Sequence, residues 1–224
     1  MDYEKLPRMI DISCVKANIT QQDLDAMVEM AKKYRVVCCF AMPAYTEWLV
    51  DQLKDYPDVG VGGAIGFPSG ANLTSSKVQE VGEFRKMGCD ELDMVINISA
   101  LINGHYQMVE DDIKAVRDAA GDKLMKVILE VSYLTDAQIQ KGAELAVKNG
   151  TNFVKTGTGW GPKPTTVEHI RLIHDAIGDA ARIKAAGGVR TLKDIEEMTA
   201  AGCSRFGIGT RTVENVFREA GLTK

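Results

Sequence analysis

Short apolar runs alternate along this chain with longer stretches whose apolar residues recur every three or four positions. The short runs read as strands at 9–13, 36–41, 61–67, 91–98, 124–131, 152–156, 181–186 and 205–209. The longer stretches read as amphipathic helices with recognisable ends. One opens at Thr20 with acidic residues in its first turn, and others close at Gly88, Gly150 and Gly202. Alternation of strand and helix predicts a parallel sheet covered by helices. Eight such units use up the 224 residues almost completely, so the pattern closes most naturally as a (β/α)8 barrel, the TIM barrel. An open doubly wound sheet is the alternative, but the first strand, in IDISCVK, lacks the GxGxxG fingerprint. No linker, low-complexity tract or break in composition divides the chain, and residues 1–224 are read as a single domain.

Charge and composition remove several function classes. A net charge of −4 argues against nucleic-acid binding, which goes with a basic surplus. No apolar run is long enough to cross a membrane. The start, MDYEKLPRMIDIS, lacks the basic and apolar regions of a signal peptide, so a cytoplasmic protein is expected. Cys14, Cys38, Cys39, Cys89 and Cys203 form neither CxxC pairs nor an even framework and read as reduced thiols. His105, His169 and His174 show no metal-ligand spacing and read as ordinary helix or loop residues, so no metal is expected.

The stretch FVKTGTGW (153–160) carries the first sign of chemistry. It starts as a buried strand with Phe153 and Val154, then sets Lys155 directly behind them among small residues. A buried, unpaired ammonium is costly, so such a lysine needs a partner or a task. One βα unit later, Lys184 takes the equivalent place in RIKAAGGVR. Catalytic groups of barrels stand at the C-terminal ends of strands. Neighbouring ammonium groups and partial desolvation both disfavour the charged form, and attack on a carbonyl requires a neutral amine. Asp93, in ELDMVIN, faces the same interior from the fourth strand, with Asn97 further along that face. Asp93 either relays protons or forms a plain interior ion pair with Lys155. One strand-end lysine is more often structural than catalytic; two on adjacent strands, each followed by small residues, favour function. Glu130, at the end of the fifth strand, reads as an ion-pair or hydrogen-bond partner of one lysine.

After Lys184 comes AAGGVR, and after the eighth strand GIGTRT. These are the two places where barrels hold phosphate on backbone N–H groups and a helix N-terminus. Gly187, Gly188, Gly207 and Gly209 let amides approach an anion closely. Arg190 either adds charge or belongs to the surface of the next helix. IGFPSGA (65–71) is a third glycine-rich strand end, which borders the mouth of the site or is simply a turn. Tyr34, Trp48 and Phe84 read as packing.

Together these motifs resemble the deoxyribose-phosphate aldolases, class I aldolases with a (β/α)8 fold. The similarity runs nearly end to end, through IDIS, IGFPSGA, ELDMVINI, KVILE, LTD, FVKTGTGW, IKAAGGVR and FGIGT. The resemblance implies reversible cleavage of 2-deoxy-D-ribose 5-phosphate to D-glyceraldehyde 3-phosphate and acetaldehyde. It implies Lys155 as the imine-forming lysine, Lys184 as the second active-site lysine and Asp93 as the acid/base. Protons would move through a water placed by Asp93 and Lys184. No cofactor is needed, because the protonated imine is the electron sink. Phosphate is expected against Gly187, Gly188, Gly207, Gly209 and Thr210, with Thr158 also contacting substrate. A homo-oligomer is expected.

Departures from the family pattern cluster where substrate is expected. Ile12 interrupts a usual DHT, and Phe40 and Met42 replace the cysteine and asparagine of VCVNP. Gly157 replaces the serine of TST, and Gly209 with Thr210 replaces a pair of serines. Phe40 is expected to crowd the donor, and Met42 to weaken selection for a hydroxylated acceptor. Two rivals stay open. One is a lysine-dependent aldolase acting on another aldehyde or sugar phosphate. The other is a phosphate-binding barrel without imine chemistry, with Lys155 and Lys184 as phosphate contacts.

Overall fold

The computed structural model describes residues 1–223. Within them, eight parallel strands close into a barrel in sequence order. They are β1 (Ile10–Cys14), β2 (Cys38–Ala41), β3 (Gly60–Ile65), β4 (Glu91–Val95), β5 (Leu124–Ile128), β6 (Phe153–Lys155), β7 (Arg182–Ala186) and β8 (Cys203–Gly209), with β8 pairing back to β1. Helices cover the outside: α1 (Gln21–Tyr34), α2 (Thr46–Leu53), α3 (Thr74–Met87), α4 (Ile98–Ile102), α5 (Tyr106–Ala120), α6 (Asp136–Lys148), α7 (Val167–Ile177), α8 (Leu192–Ala200) and α9 (Thr210–Glu219). Among the described residues, no helix is long and apolar enough to cross a membrane.

The expected (β/α)8 barrel is present, and its helix ends have identifiable causes. Thr20 caps α1 while Asp23 bonds back to the cap, and the same reciprocal box opens α6 at Thr135, α7 at Thr166 and α8 at Thr191. His169 is the reciprocating residue of the third box, its Nδ1 accepting the Thr166 N–H. Gly88 closes α3 at φ 92, in the left-handed region that favours glycine. Tyr34 packs as expected, its ring 4.5 Å from that of Phe217.

Strands β4 and β5 stop earlier than the expected 91–98 and 124–131. Apolar residues continue because the chain turns at once into α4 and a 3-10 turn over Val131–Tyr133, which pack on the same core. A continuous apolar run cannot separate these cases. Asn97 therefore lies outside β4 rather than beside Asp93. It caps α4, its Oδ1 accepting the Ala100 N–H.

Strand side chains alternate between two compartments. Those facing outward, such as Ile10, Ile12, Leu92, Met94, Val127, Val154 and Ile183, form the hydrophobic core with the helices. Those facing inward include Asp11, Glu91, Asp93, Lys126, Lys155, Lys184 and Arg205, all buried. Barrel interiors are ordinarily filled by branched apolar side chains. Charge replaces them here, and buried charge is tolerable only when it is paired.

Candidate active site

Strand register assembles the site. Lys155 on β6 stands directly opposite Lys184 on β7, and Asp93 on β4 opposite Lys126 on β5. Three ammonium groups converge on Asp93. Lys155 and Lys184 both donate to its Oδ2, at 2.8 and 2.9 Å, and Lys126 donates to its Oδ1 at 2.6 Å. Two of the three have a further carboxylate: Lys126 donates to Glu91 at 2.6 Å, and Lys184 lies 2.5 Å from Asp11. Arg205 ties those carboxylates together, with Nε on Asp11 at 2.7 Å and its terminal nitrogens on Glu91 at 2.9 and 2.8 Å. Among the described residues, Lys155 forms an ion pair with Asp93 alone.

This asymmetry decides which amine loses its proton. Burial pushes the Lys155 ammonium down, Asp93 pulls it back up, and Lys184 pushes it down again, to about 8. Burial is thus a larger cause than the like-charged neighbour. Burial also opposes ionisation of Asp93, but Lys126, Lys155 and Lys184 hold it well below the usual carboxylate range. For Lys126, Asp93 and Glu91 outweigh burial and raise it. The result is a fixed carboxylate, a fixed ammonium beside it, and one lysine poised to be neutral.

A cleft of about 190 Å³ opens from this group. Asp11, Asp93, Lys155 and Lys184 line its polar part; Phe40, Ala64 and Ile128 line an apolar part. At the mouth the Trp160 ring meets Phe67 edge-on at 5.8 Å, and its indole N–H donates to the Val15 carbonyl. IGFPSGA thus borders the site through Phe67. Gly187 and Gly188 follow β7 at φ 85 and 97 and line the cleft with Gly209, which precedes α9. No side chain caps α9, so its first N–H groups are suited to an anion. Arg190 lines the cleft too, as does Lys16 from the loop after β1, a cation the sequence reading passed over.

Some expected contacts differ in detail. Gly207 lines the cleft from within β8 rather than from the loop after it. A Cβ there would stand 3.3 Å from Lys184 Cε and 2.9 Å from Ala186 Cβ, so the glycine makes room for the lysine stem. Thr210 does not line the cleft, and its hydroxyl is buried without a partner; Thr212 lines it instead. Thr158 lines the cleft, but its hydroxyl donates to Glu130 and accepts the Trp160 N–H, which fixes the loop. Among the described residues, Glu130 is hydrogen-bonded to no lysine. It leaves β5 at φ 58 and accepts both the N–H and the hydroxyl of Thr158.

The departures from the family pattern also separate. Ile12 faces the helices, fully buried, and Met42 lies beyond β2 outside the cleft. Gly157 clears space for Glu130, whose Oε1 would be 2.9 Å from a Cβ there. Phe40 and Gly209 do line the cleft. The sequence reading also missed Asp11, Glu91, Lys126 and Arg205 as members of the network. Asp11, Lys126 and Arg205 set a charge inside a strand, and that was the available signal, whereas Glu91 opens β4 after Asp90 and gives none. Among the described residues no three His, Cys, Asp or Glu side chains group as a metal site.

A family model described as "DeoC/LacD family aldolase" matches residues 9–212. A deoxyribose-phosphate aldolase of Staphylococcus carnosus is 42% identical over 207 residues, covering 92% of this chain and 92% of that protein. One from Klebsiella pneumoniae subsp. pneumoniae is 38% identical over 217 residues, covering 96% and 87%. Among solved structures, the tetrameric deoxyribose phosphate aldolase of Aeropyrum pernix superposes with a TM-score of 0.85 at 25% identity, covering 99% of this chain and 94% of that one. With its paired lysines in a (β/α)8 barrel, the chain belongs to the DeoC/LacD aldolase family.

Proposed function

We propose that this chain is a class I aldolase that reversibly cleaves 2-deoxy-D-ribose 5-phosphate to D-glyceraldehyde 3-phosphate and acetaldehyde, with Lys155 forming the imine. The observation that carries this is one oxygen, Asp93 Oδ2, shared by Lys155 and Lys184 at 2.8 and 2.9 Å. One oxygen holds two ammonium groups poorly, and Lys155 is the one without a second carboxylate. The similarity to deoxyribose-phosphate aldolases supports the choice of sugar.

The neutral Lys155 amine attacks the aldehyde carbon of the open sugar, and loss of water leaves a protonated imine. Removal of the C3 hydroxyl proton lets the C2–C3 bond break. Its electron pair passes to the imine nitrogen as an enamine forms, and glyceraldehyde 3-phosphate departs. Protonation at C2 and hydrolysis then release acetaldehyde and restore the amine. Asp93 and Lys184 stand on the polar side of Lys155 and move these protons directly or through a water. The phosphate lies against Gly187, Gly188, Gly209 and the N-terminus of α9, including the Thr210 N–H, with Lys16 and Arg190 alongside. Gly207 contributes by clearing the Lys184 stem, and Thr158 by holding its loop.

A homo-oligomer is part of the same proposal, supported by the tetrameric Aeropyrum pernix relative. So is a reducing, cytoplasmic setting, supported by five buried cysteines that form no disulfide. Borohydride reduction in the presence of acetaldehyde tests the chemistry. One ethyl group on Lys155 is expected by peptide mapping, with loss of glyceraldehyde 3-phosphate release in a coupled assay. No adduct, or adducts on exposed lysines only, would refute imine formation at Lys155.

A further inference from the structure

Phe40 sets an aromatic ring near the reacting amine, and the chemistry above gives it no task. Its ring is 3% exposed and lines the cleft, with its centroid 4.5 Å from Lys184 Nζ and 5.5 Å from Lys155 Nζ. Gly62, its partner on β3, seats it: a Cβ there would lie 2.1 Å from a ring carbon. The ring therefore already fills the space β3 offers and has nowhere to retreat.

The surroundings of Lys155 divide by polarity. Asp93 and Lys184 meet Lys155 with polar atoms, whereas Phe40, Ala64 and Ile128 line the same cleft with apolar ones. In the imine, the C3 hydroxyl that gives up its proton must face the proton-moving groups. The rest of the donor, the two-carbon piece that ends as acetaldehyde, then lies toward the apolar lining. From Nζ the imine carbon and the next carbon reach about 2.5 Å, and one more methyl about 3.8 Å. Carbon contacts need about 3.5 Å or more. Against a ring centred 5.5 Å away, a second carbon fits obliquely and a third continuing along the same line overlaps it.

We propose that Phe40, seated by Gly62, is a specificity-determining residue that limits the donor to a two-carbon aldehyde and excludes a donor one carbon longer, such as propanal. This rests on Lys155 forming the imine.

Exchange of donor C–H for C–D in D2O, followed by NMR, reads the donor step without an acceptor. The Lys155 imine loses a proton from the carbon next to the imine carbon, and the electron pair forms the enamine. The enamine takes a deuteron at that carbon, and hydrolysis returns labelled aldehyde. Acetaldehyde and propanal are each tested with wild type, Phe40→Ala, Phe40→Val and Phe40→Leu, with Lys155→Ala as background. The quantity read is the ratio of larger-donor to acetaldehyde exchange within one variant, which partial unfolding does not move. Phe40→Ala should raise that ratio about tenfold or more, the scale of a methylene-sized discrimination, with Val and Leu between. Gly62→Ala, which drives the ring toward the lysines, should slow acetaldehyde as well. If Phe40→Ala does not fold, Val and Leu decide. An unchanged ratio, or loss of all exchange in folded Phe40 variants, would overturn the proposal. A wild type that neither exchanges acetaldehyde nor traps it on Lys155 would instead bring down the imine reading, and this inference with it.

Discussion

Replacing Lys184 by leucine tests how the reactive amine is produced. An amine titrating at about 8 is about one-tenth neutral at pH 7, whereas one at the reference value of about 10.4 is neutral in about one molecule in 2,500. The environment of Lys155 therefore supplies about 250-fold more free amine. Lys184→Leu removes a like charge and also a competitor for Asp93 Oδ2, and both changes raise the Lys155 value. Leucine keeps the site dry, so burial, the largest cause, survives and the value stays short of the reference. Each unit of upward displacement costs tenfold in imine formation at pH 7.

The assay is the rate of borohydride-trapped imine with acetaldehyde from pH 6 to 10. In wild type the rate should rise with pH through about 8 and then level off. In the variant the rise should come at more alkaline pH, so that high pH restores imine formation but not the full turnover of the sugar phosphate. That split distinguishes a lost neighbouring charge from a lost proton carrier. Thermal melting accompanies it, because Asp11 loses one partner and keeps Arg205 at 2.7 Å. Identical profiles for folded wild type and variant would show that the two lysines are uncoupled.

Met42→Asn should leave kcat/KM for deoxyribose 5-phosphate within about twofold of wild type, because Met42 stands outside the cleft; a clear improvement in the coupled assay would place it against substrate. Asp93→Asn should flatten the acid limb of stability. The carboxyl is held well below its usual range, so its ion pairs stabilise the fold above the ordinary carboxylate value and are lost as pH falls through the lowered one. Urea melts between pH 2 and 7 check this, and an unchanged acid slope would contradict it. Exhaustive chelation should leave activity intact, since the imine is the electron sink; loss restored by added zinc would mean a different class of aldolase.

Much of this molecule is legible in its sequence because two rules act locally. Helix caps such as Thr20 with Asp23 and the left-handed Gly88 need only a few neighbouring residues. The alternation of apolar runs and amphipathic stretches then leaves few ways to close eight parallel strands. Lys155 was visible because an apolar run ended on a charge among glycines. Lys126 and Arg205 carry the same anomaly, in LMKVILEV and CSRFGIG, but a charge inside a strand has no meaning until its partners on other strands are known. Lys126 meets Glu91 and Asp93 across 35 and 33 residues, and Arg205 meets Asp11 across 194. The misplaced contacts have the same origin. Ile12 and Met42 sit in motifs expected to face substrate, yet position on the inner face and within reach of the cleft is set by strand phase and strand length. One residue of phase turns Ile12 to the helices, and β2 ends at Ala41, one residue before Met42.

The charge inside the barrel is then better understood as one device than as a set of pairs. Lys126, Lys155, Lys184 and Arg205 face Asp11, Glu91 and Asp93, four cationic side chains against three carboxylates. Full ionisation of all seven would bury a charge without a counterpart, so the group favours the state in which one cation is neutral. Arg205 does not titrate near neutrality, and it holds both Glu91 and Asp11 by direct hydrogen bonds. Through them it engages Lys126 and Lys184 with carboxylates that Lys155 does not touch. The proton is lost where the claim on a carboxylate is weakest, at Lys155, which lines the cleft with Lys184. A barrel interior of branched apolar residues would keep its lysines dry and equally depressed. This one makes them unequal, lowering Lys155 and raising Lys126, and it sets the lowered amine beside a carboxylate held in its charged form.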